Sequence, residues 1–366
     1  MSETYLARGV EEAAELSSFV AARAALGVGE LGEARRLVEL ALAGAVTDRE
    51  RALAGALEGE LLLQEDEVAA AIASLERAVE LDPALEGAEP QVADALGRAY
   101  VRANDYERAV GVFRRNFEAA TVGGDQLRRA RFGALLANAY SDSADFAAAE
   151  ALLGVLVANS AEVVDPLARA RIFWSQSRLH ARKKEGDSAA HYAELALDVL
   201  ELSDQSRYAA LAHLLLAHIE LDRDNPQRAL ELLEEAEPLV SGSGRPAERA
   251  NLQLERARAY ALVGRQDEAV SLAAAAGPLL EQTTLLEAGR GYALMAKVFA
   301  AADRDSRAIE LYEEAIERLE VNPSRYLIEA YSELANLYQS AGQPERAIEL
   351  LRRAVNVQSA SDRVLV

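Results

Sequence analysis

The residues predict an all-α fold, an α-α superhelix of about nine helical hairpins of 37–40 residues each. Three observations carry this prediction. The 366 residues are 51% hydrophobic yet hold only two Met, one Trp and seven Phe, so alanine and leucine supply the apolar mass and helix axes can approach closely. An alanine recurs at positions 34, 71, 109, 149, 189, 229, 269, 308 and 347, at intervals of 37 to 40. Twelve residues before each stands a second small residue: Ala22, Gly59, Gly97, Ala137, Ser177, Ala217, Ala257, Ala296 and Ala335.

Residues 212–236, AHLLLAHIELDRDNPQRALELLEEA, show the unit. An apolar helix runs to a polar break at Asp224-Asn225-Pro226, and an amphipathic helix follows. The constant interval of twelve gives every hairpin one turn length, so the variable residues belong at helix ends or between hairpins, as at 241–248, SGSGRPAE. A ring often lies three residues after the first small position (Tyr100, Tyr140, His180, Tyr260, Phe299, Tyr338). A further alanine lies seven after most second-helix markers (Ala41, Ala78, Ala196, Ala236, Ala276, Ala315, Ala354). Pro226 and Pro344 open second helices, where a missing N–H is harmless. Pro90, Pro166, Pro246 and Pro323 precede first helices, Pro83 follows a second helix, and Pro238 and Pro278 are expected in the last turns of theirs. Alternating β-branched runs are scarce, so strands have little support. Each hairpin buries its apolar stripes only against its neighbours. A single array over about 10–356 is therefore expected within one domain, 1–366, with a short tail at 357–366.

Composition narrows the function. A net charge of −21 opposes contact with phosphate backbones and anionic lipid, so no nucleic-acid or membrane partner is expected for these residues. With no cysteine there is no disulfide, thiolate nucleophile or cysteine zinc site. The N-terminus lacks a basic-then-apolar leader, and no uncharged stretch reaches the roughly 18–20 residues of a membrane span. A cytoplasmic protein is the expectation. No phosphate-binding glycine loop and no H-E-x-x-H motif is present, and His213 and His218 are five apart rather than the four that aligns two ligands on a helix. No enzyme, catalytic residue, cofactor or metal is expected.

A candidate ligand face does emerge. With the small residue of each first helix numbered 8, positions 4, 7, 8 and 11 form the expected core side, and positions 2, 5, 9 and 12 share another face. Position 9 reads Arg23, Glu60, Arg98, Asn138, Arg178, His218, Arg258, Lys297 and Asn336. All but Glu60 are basic, amide or imidazole. Arg171 and Trp174 lie nearby, as do Arg131, Arg182 and Arg290. The predicted groove residues are Arg98, Asn138, Arg171, Trp174, Arg178, His218, Arg258, Lys297 and Asn336. Asparagine amides can bond a peptide's N–H and C=O, and arginines can grip carboxylates. Two plainer alternatives stand beside this: position 9 is simply solvated, or Trp174, one residue out of register, joins Phe173 in the core.

The segments LERAVELDP (75–83), ALGRAYVRANDYERAVGVF (95–113) and ELANLYQSAGQPERAIELLRRA (333–354) resemble tetratricopeptide repeats, with a period longer than the usual value of about 34. The stretches 168–203 and 209–223 further resemble the sensor half of bacterial regulators in which an XRE-type helix-turn-helix precedes a tetratricopeptide array. TYLARG (4–9) is similar to the end of such a DNA-binding domain. The resemblance implies a solenoid that senses a short peptide in its concave groove and leaves a homodimer open. It implies too that the DNA-binding domain precedes these residues. The alternative is a scaffold for protein partners with no small effector.

Overall fold

The computed structural model describes residues 18–27, 29–243 and 245–363, without the side chains of 243 and 358–363. TYLARG (4–9) lies outside the described residues. The chain forms two compact units, one ending at Ala119 and one beginning at Ala120.

The first unit holds α1 (18–27), α2 (Leu31–Gly44), α3 (Asp48–Gln64), α4 (Val68–Leu81), the single turn α5 (Leu85–Ala88), α6 (Pro90–Arg102) and most of α7 (Tyr106–Gly123). The second holds α8 (Gln126–Asp142), α9 (Phe146–Ala158), α10 (Pro166–Arg182), α11 (Gly186–Glu201), α12 (Ser206–Asp222), α13 (Pro226–Ser243), α14 (Pro246–Leu262), α15 (Gln266–Ala275), the single turn α16 (Gly277–Leu280), α17 (Leu285–Ala301), α18 (Asp305–Leu319), α19 (Arg325–Ser340) and α20 (Pro344–Arg363). Leaving out the two single turns, these helices pair in order into nine hairpins among the described residues, and no strand occurs among them.

One turn geometry closes every hairpin. The seventh residue after each small position has a positive φ: Gly29, Asp66, Asn104, Ala144, Lys184, Asp224, Gly264, Asp303 and Gly342. The next N–H reaches back five residues to a helix carbonyl, as in Asp105 to Tyr100 and Asn225 to Glu220, which caps the first helix in a Schellman arrangement. The second helix then begins, and its marker alanine meets the small residue of the first. Ala137, Ala217, Ala257, Ala149, Ala229 and Ala269 are all fully buried. Ser177 uses the same contact to donate its hydroxyl to the Ala189 carbonyl at 2.7 Å. At Gly97 a Cβ would stand 2.2 Å from the Phe113 ring, so glycine alone fits there.

The structure departs from the sequence reading in three places. Pro238 lies inside α13, which continues to Ser243, because Val240 beyond it is fully buried and holds the helix together. Pro278 is not in the last turn of a second helix; α15 ends at Ala275 and Pro278 sits near the start of α16, whose Leu280 packs over Gly291. At 241–248, of the two placements expected for the extra residues, the structure shows the lengthened helix end, since α13 runs to Ser243 and α14 begins at Pro246. Finally, positions 5 and 12 are core rather than groove in hairpins 6 and 7, where Leu214, Leu254, Leu221 and Ala261 are buried, whereas Ala181 and Gln339 at position 12 are exposed. First helices between two others are covered on most sides, so their water-facing stripe narrows to positions 2, 9 and 13, as with Asn251, Arg258 and Leu262.

Candidate functional site

Position 9 proves to be the rung of a ladder between hairpins. Asn138 Nδ2 donates to Ser175 Oγ at 3.0 Å, His218 Nδ1 lies 2.7 Å from Glu255 Oε1, and Lys297 Nζ lies 3.5 Å from Glu333. Each partner is position 6 of the following copy. Arg178 and Arg258 reach backward instead, to position 13 of the preceding copy: Arg178 Nη2 to Asp142 Oδ1 at 2.6 Å, and Arg258 to Asp222. In the first unit Arg98 is held by Asp94 at 2.7 Å and Arg23 by Glu89 at 3.3 Å. Asn336, in the last hairpin, is exposed, and its side-chain amide makes no hydrogen bond among the described residues. The predicted column is thus brought into register, but most of its cations already face carboxylates of their own or adjacent copies.

The electrostatics agree with a ladder. Burial opposes ionisation of Glu255, yet His218 and Arg258 outweigh it and hold the carboxyl below its usual value. Glu255 in turn raises the His218 imidazole against the opposing effect of burial. Both shifts favour the ion pair near neutrality. Asp142 is shared by Arg178 and, at 2.5 Å, by Arg182.

Among the first-helix cations of the second unit that have no carboxylate within salt-bridge distance among the described residues, which include Arg129, Arg169 and Arg249, two loci also hold aromatic rings. At one, Trp174 of α10 is only partly buried, its ring centroid 6.4 Å from that of Tyr208 on α12. Its indole nitrogen and Asn138 Oδ1 are shielded from water and have no hydrogen-bond partner among the described residues. Arg171, three residues before Trp174, has no carboxylate within salt-bridge distance among the described residues. At the other, two guanidinium groups converge on one ring. Arg290 of α17 stands 4.3 Å from the Tyr326 centroid and Arg325 4.7 Å, and Arg325 Nη2 donates to the Tyr326 hydroxyl at 3.0 Å. Neither has a carboxylate within salt-bridge distance among the described residues. Burial resists ionisation of Tyr326, but Arg290, Arg325 and then Arg178 overcome it and draw the phenol below its usual value.

That last contribution locates the two loci relative to each other. Arg178, one turn beyond Trp174 on α10, lies within electrostatic reach of Tyr326, and Asp142 within reach of Arg325. Charges on α8 and α10 therefore act on the Arg325–Tyr326 pair of α19 across the first-helix side of this unit. Tyr326 and Arg325 were absent from the predicted set because they precede the counted positions of their helix. The recurring Arg-Tyr pair, 207–208 and 325–326, was the signal available.

His213 is a third feature that spacing did not reveal. Its ring nitrogens lie 3.3 Å from Glu201 and 3.4 Å from Glu235, carried by α11 and α13, and burial lowers its pKa despite both acids. The three ligand atoms fall within 4.8 Å of one another. Each nitrogen faces a different carboxylate, so the geometry is that of an imidazole braced between two acids.

Comparison with known proteins accords with this repeat geometry. Three family models described as tetratricopeptide repeat match residues 56–85, 93–119 and 287–360. Those segments are tetratricopeptide repeats. Solved tetratricopeptide-type structures align with it as folds. A Rap protein complexed with Competence and Sporulation Factor aligns at a TM-score of 0.60 and 13% identity, over 95% of this chain and 86% of that one. A signal transduction ATPase with a tetratricopeptide repeat sensor, from Pyrococcus horikoshii, aligns at 0.53 and 16% identity, over 92% of this chain and 54% of that one. No curated protein matches the tetratricopeptide chain by sequence. No helix of the described residues is long and apolar enough to cross a membrane.

Proposed function

We propose that this chain is a ligand-binding tetratricopeptide module that holds an extended peptide against the concave first-helix face of its second unit, as the effector-sensing part of a transcriptional regulator. The observation that carries the proposal is Trp174. Hairpins 4, 6 and 7 place Ala134, Leu214 and Leu254 at the same register, and all three are buried. Tryptophan is too large for that slot and stands partly in water, forgoing hydrophobic stabilisation on the order of 1 kcal/mol. An aromatic kept at a surface at such a cost is the usual anchor of a binding face. Around it Arg171 offers donors and Tyr208 adds a second ring, while the indole N–H and Asn138 Oδ1, shielded from water and without a hydrogen-bond partner among the described residues, become available if the indole shifts outward. A backbone of alternating N–H and C=O with an apolar side chain needs that combination. The Rap protein named with its bound factor, and the sensor repeats of the Pyrococcus horikoshii ATPase, support the reading. In it, DNA contact belongs to a separate domain, the cytoplasm is the site of action, and a homodimer is the expected assembly.

One observation favours a second reading, a scaffold for folded partners: α20 leaves Ile348, Leu351 and Val355 in water. The test is retention of a random heptapeptide pool on immobilised protein. Trp174→Ala should cut retention tenfold or more with the melting temperature little changed. Equal retention by variant and wild type contradicts the proposal.

A further inference from the structure

We infer that Glu201, His213 and Glu235 form a binding site for a divalent transition-metal ion of the zinc class. The inference is independent of the peptide reading, because none of the three belongs to the proposed ligand face. His213 is position 4 of α12, on the core side of its helix, and stands between Glu201, the last residue of α11, and Glu235, near the middle of α13. Glu201 Oε1 lies 3.3 Å from Nε2, and Glu235 Oε2 lies 3.4 Å from Nδ1. With one ligand atom taken from each residue, the three atoms fall within 4.8 Å of one another. Spacing along the sequence could not show this set, since its members come from three helices.

The imidazole marks the site. His213 is 3% exposed, and its Nδ1, shut off from water, makes no hydrogen bond among the described residues. A ring nitrogen buried without a partner costs stability, and a metal ion is a partner that removes the cost. Glu235 already stands beside that nitrogen. An ion held tetrahedrally at about 2.0–2.2 Å spaces its ligands roughly 3.3–3.6 Å apart, which matches Nδ1 and Glu235 Oε2. The Glu201 and Glu235 side chains keep 52% and 55% of their surface in water, so both carboxylates can turn while the ring stays fixed. Glu201 swings from Nε2 onto the ion, and water takes the fourth position. Two carboxylates balance the charge of a dication. Arg228, a cation that acts on His213, is itself held by Glu231 at 2.9 Å. The nitrogen ligand selects zinc-class ions over calcium and magnesium, which prefer oxygen. Bound there, the ion joins α11 to α12 and α13 and so ties hairpin 5 to hairpin 6.

The test uses the full chain, stripped of metal by a chelator and returned to buffer. Zinc chloride should bind at one equivalent by calorimetry and raise the melting temperature, whereas calcium chloride at the same concentration should do neither. Glu201→Gln/Glu235→Gln, which changes only half-exposed side chains, should weaken zinc binding at least tenfold and cancel the rise. His213→Gln should do the same, and the double glutamine variant decides the matter if His213→Gln folds poorly. His191→Gln, at an exposed histidine of α11, should bind zinc as wild type does. Undiminished zinc binding in the double variant overturns the site, as does a wild type that binds no zinc. An equal response to zinc and calcium also overturns it, because the ions are then gathering on the acidic surface at large.

Discussion

Hairpins 6 and 9 carry the same dipeptide, Arg-Tyr, at the same register just ahead of the counted first-helix positions. In hairpin 6, Arg207 Nε donates to Glu248 Oε1 at 3.0 Å, and Tyr208 leans toward Trp174. Glu248 is nearly buried and belongs to the following copy. In hairpin 9 no further copy follows among the described residues. Arg325 has only its tyrosine, and Arg290 of the preceding copy has joined it on the ring. The same two residues are thus a structural tie in one place and a free cationic surface in the other. The chemistry of a repeat residue is set as much by its neighbouring copy as by its own register.

The largest expected effect separates the two copies directly. Arg207→Gln strands the buried Glu248 carboxylate and should cost about 1–3 kcal/mol, read as a lowered melting temperature. Arg325→Gln strands nothing and should stay within about 0.5 kcal/mol of wild type. Equal losses in the two variants would break the comparison. Next, Glu248→Gln takes the carboxylate from Arg207 and should cost about 1 kcal/mol, read by calorimetry as a lowered melting temperature.

A smaller effect concerns Tyr326. Its phenol is drawn below the ordinary tyrosine value, so its ionised form is favoured by folding. The linked stability is absent at pH below the folded pKa. It appears as pH rises through that value and is fully present above the unfolded one. Ultraviolet titration of wild type minus Tyr326→Phe should show the early transition, and Arg290→Gln should move it to higher pH. The smallest effect sharpens the contrast from the other side, because the hairpin turn is set within each copy. Ala144 holds φ at 63° where glycine is at ease, so Ala144→Gly should raise stability by up to about 1 kcal/mol. A fall in melting temperature would show that the turn also depends on its neighbours.

The same division explains what could be read from the residues. Small residue, positive-φ turn and marker alanine all lie within twenty residues of one another, so nine hairpins were legible from spacing alone. The ladder was not. Its partners, such as Glu255 for His218 and Asp142 for Arg178, come from different copies, and nothing in one copy's periodicity says which of its acids faces backward. Position 5 was misread as groove for a related reason: Leu214 and Leu254 are buried by adjacent hairpins as well as by their own. Trp174 stands out only against that background. Pro238 inside α13 was hidden because packing of Val240 outweighs proline's local preference.

Trp174 is the chain's single tryptophan, so its emission reports on the proposed face and nowhere else. Titrating wild type with the random heptapeptide pool while recording that emission tests the central claim most directly. The account predicts a saturable shift to shorter wavelength whose midpoint matches that of binding, as the indole leaves water. Binding that saturates while the emission stays unmoved would place the ligand elsewhere and contradict it.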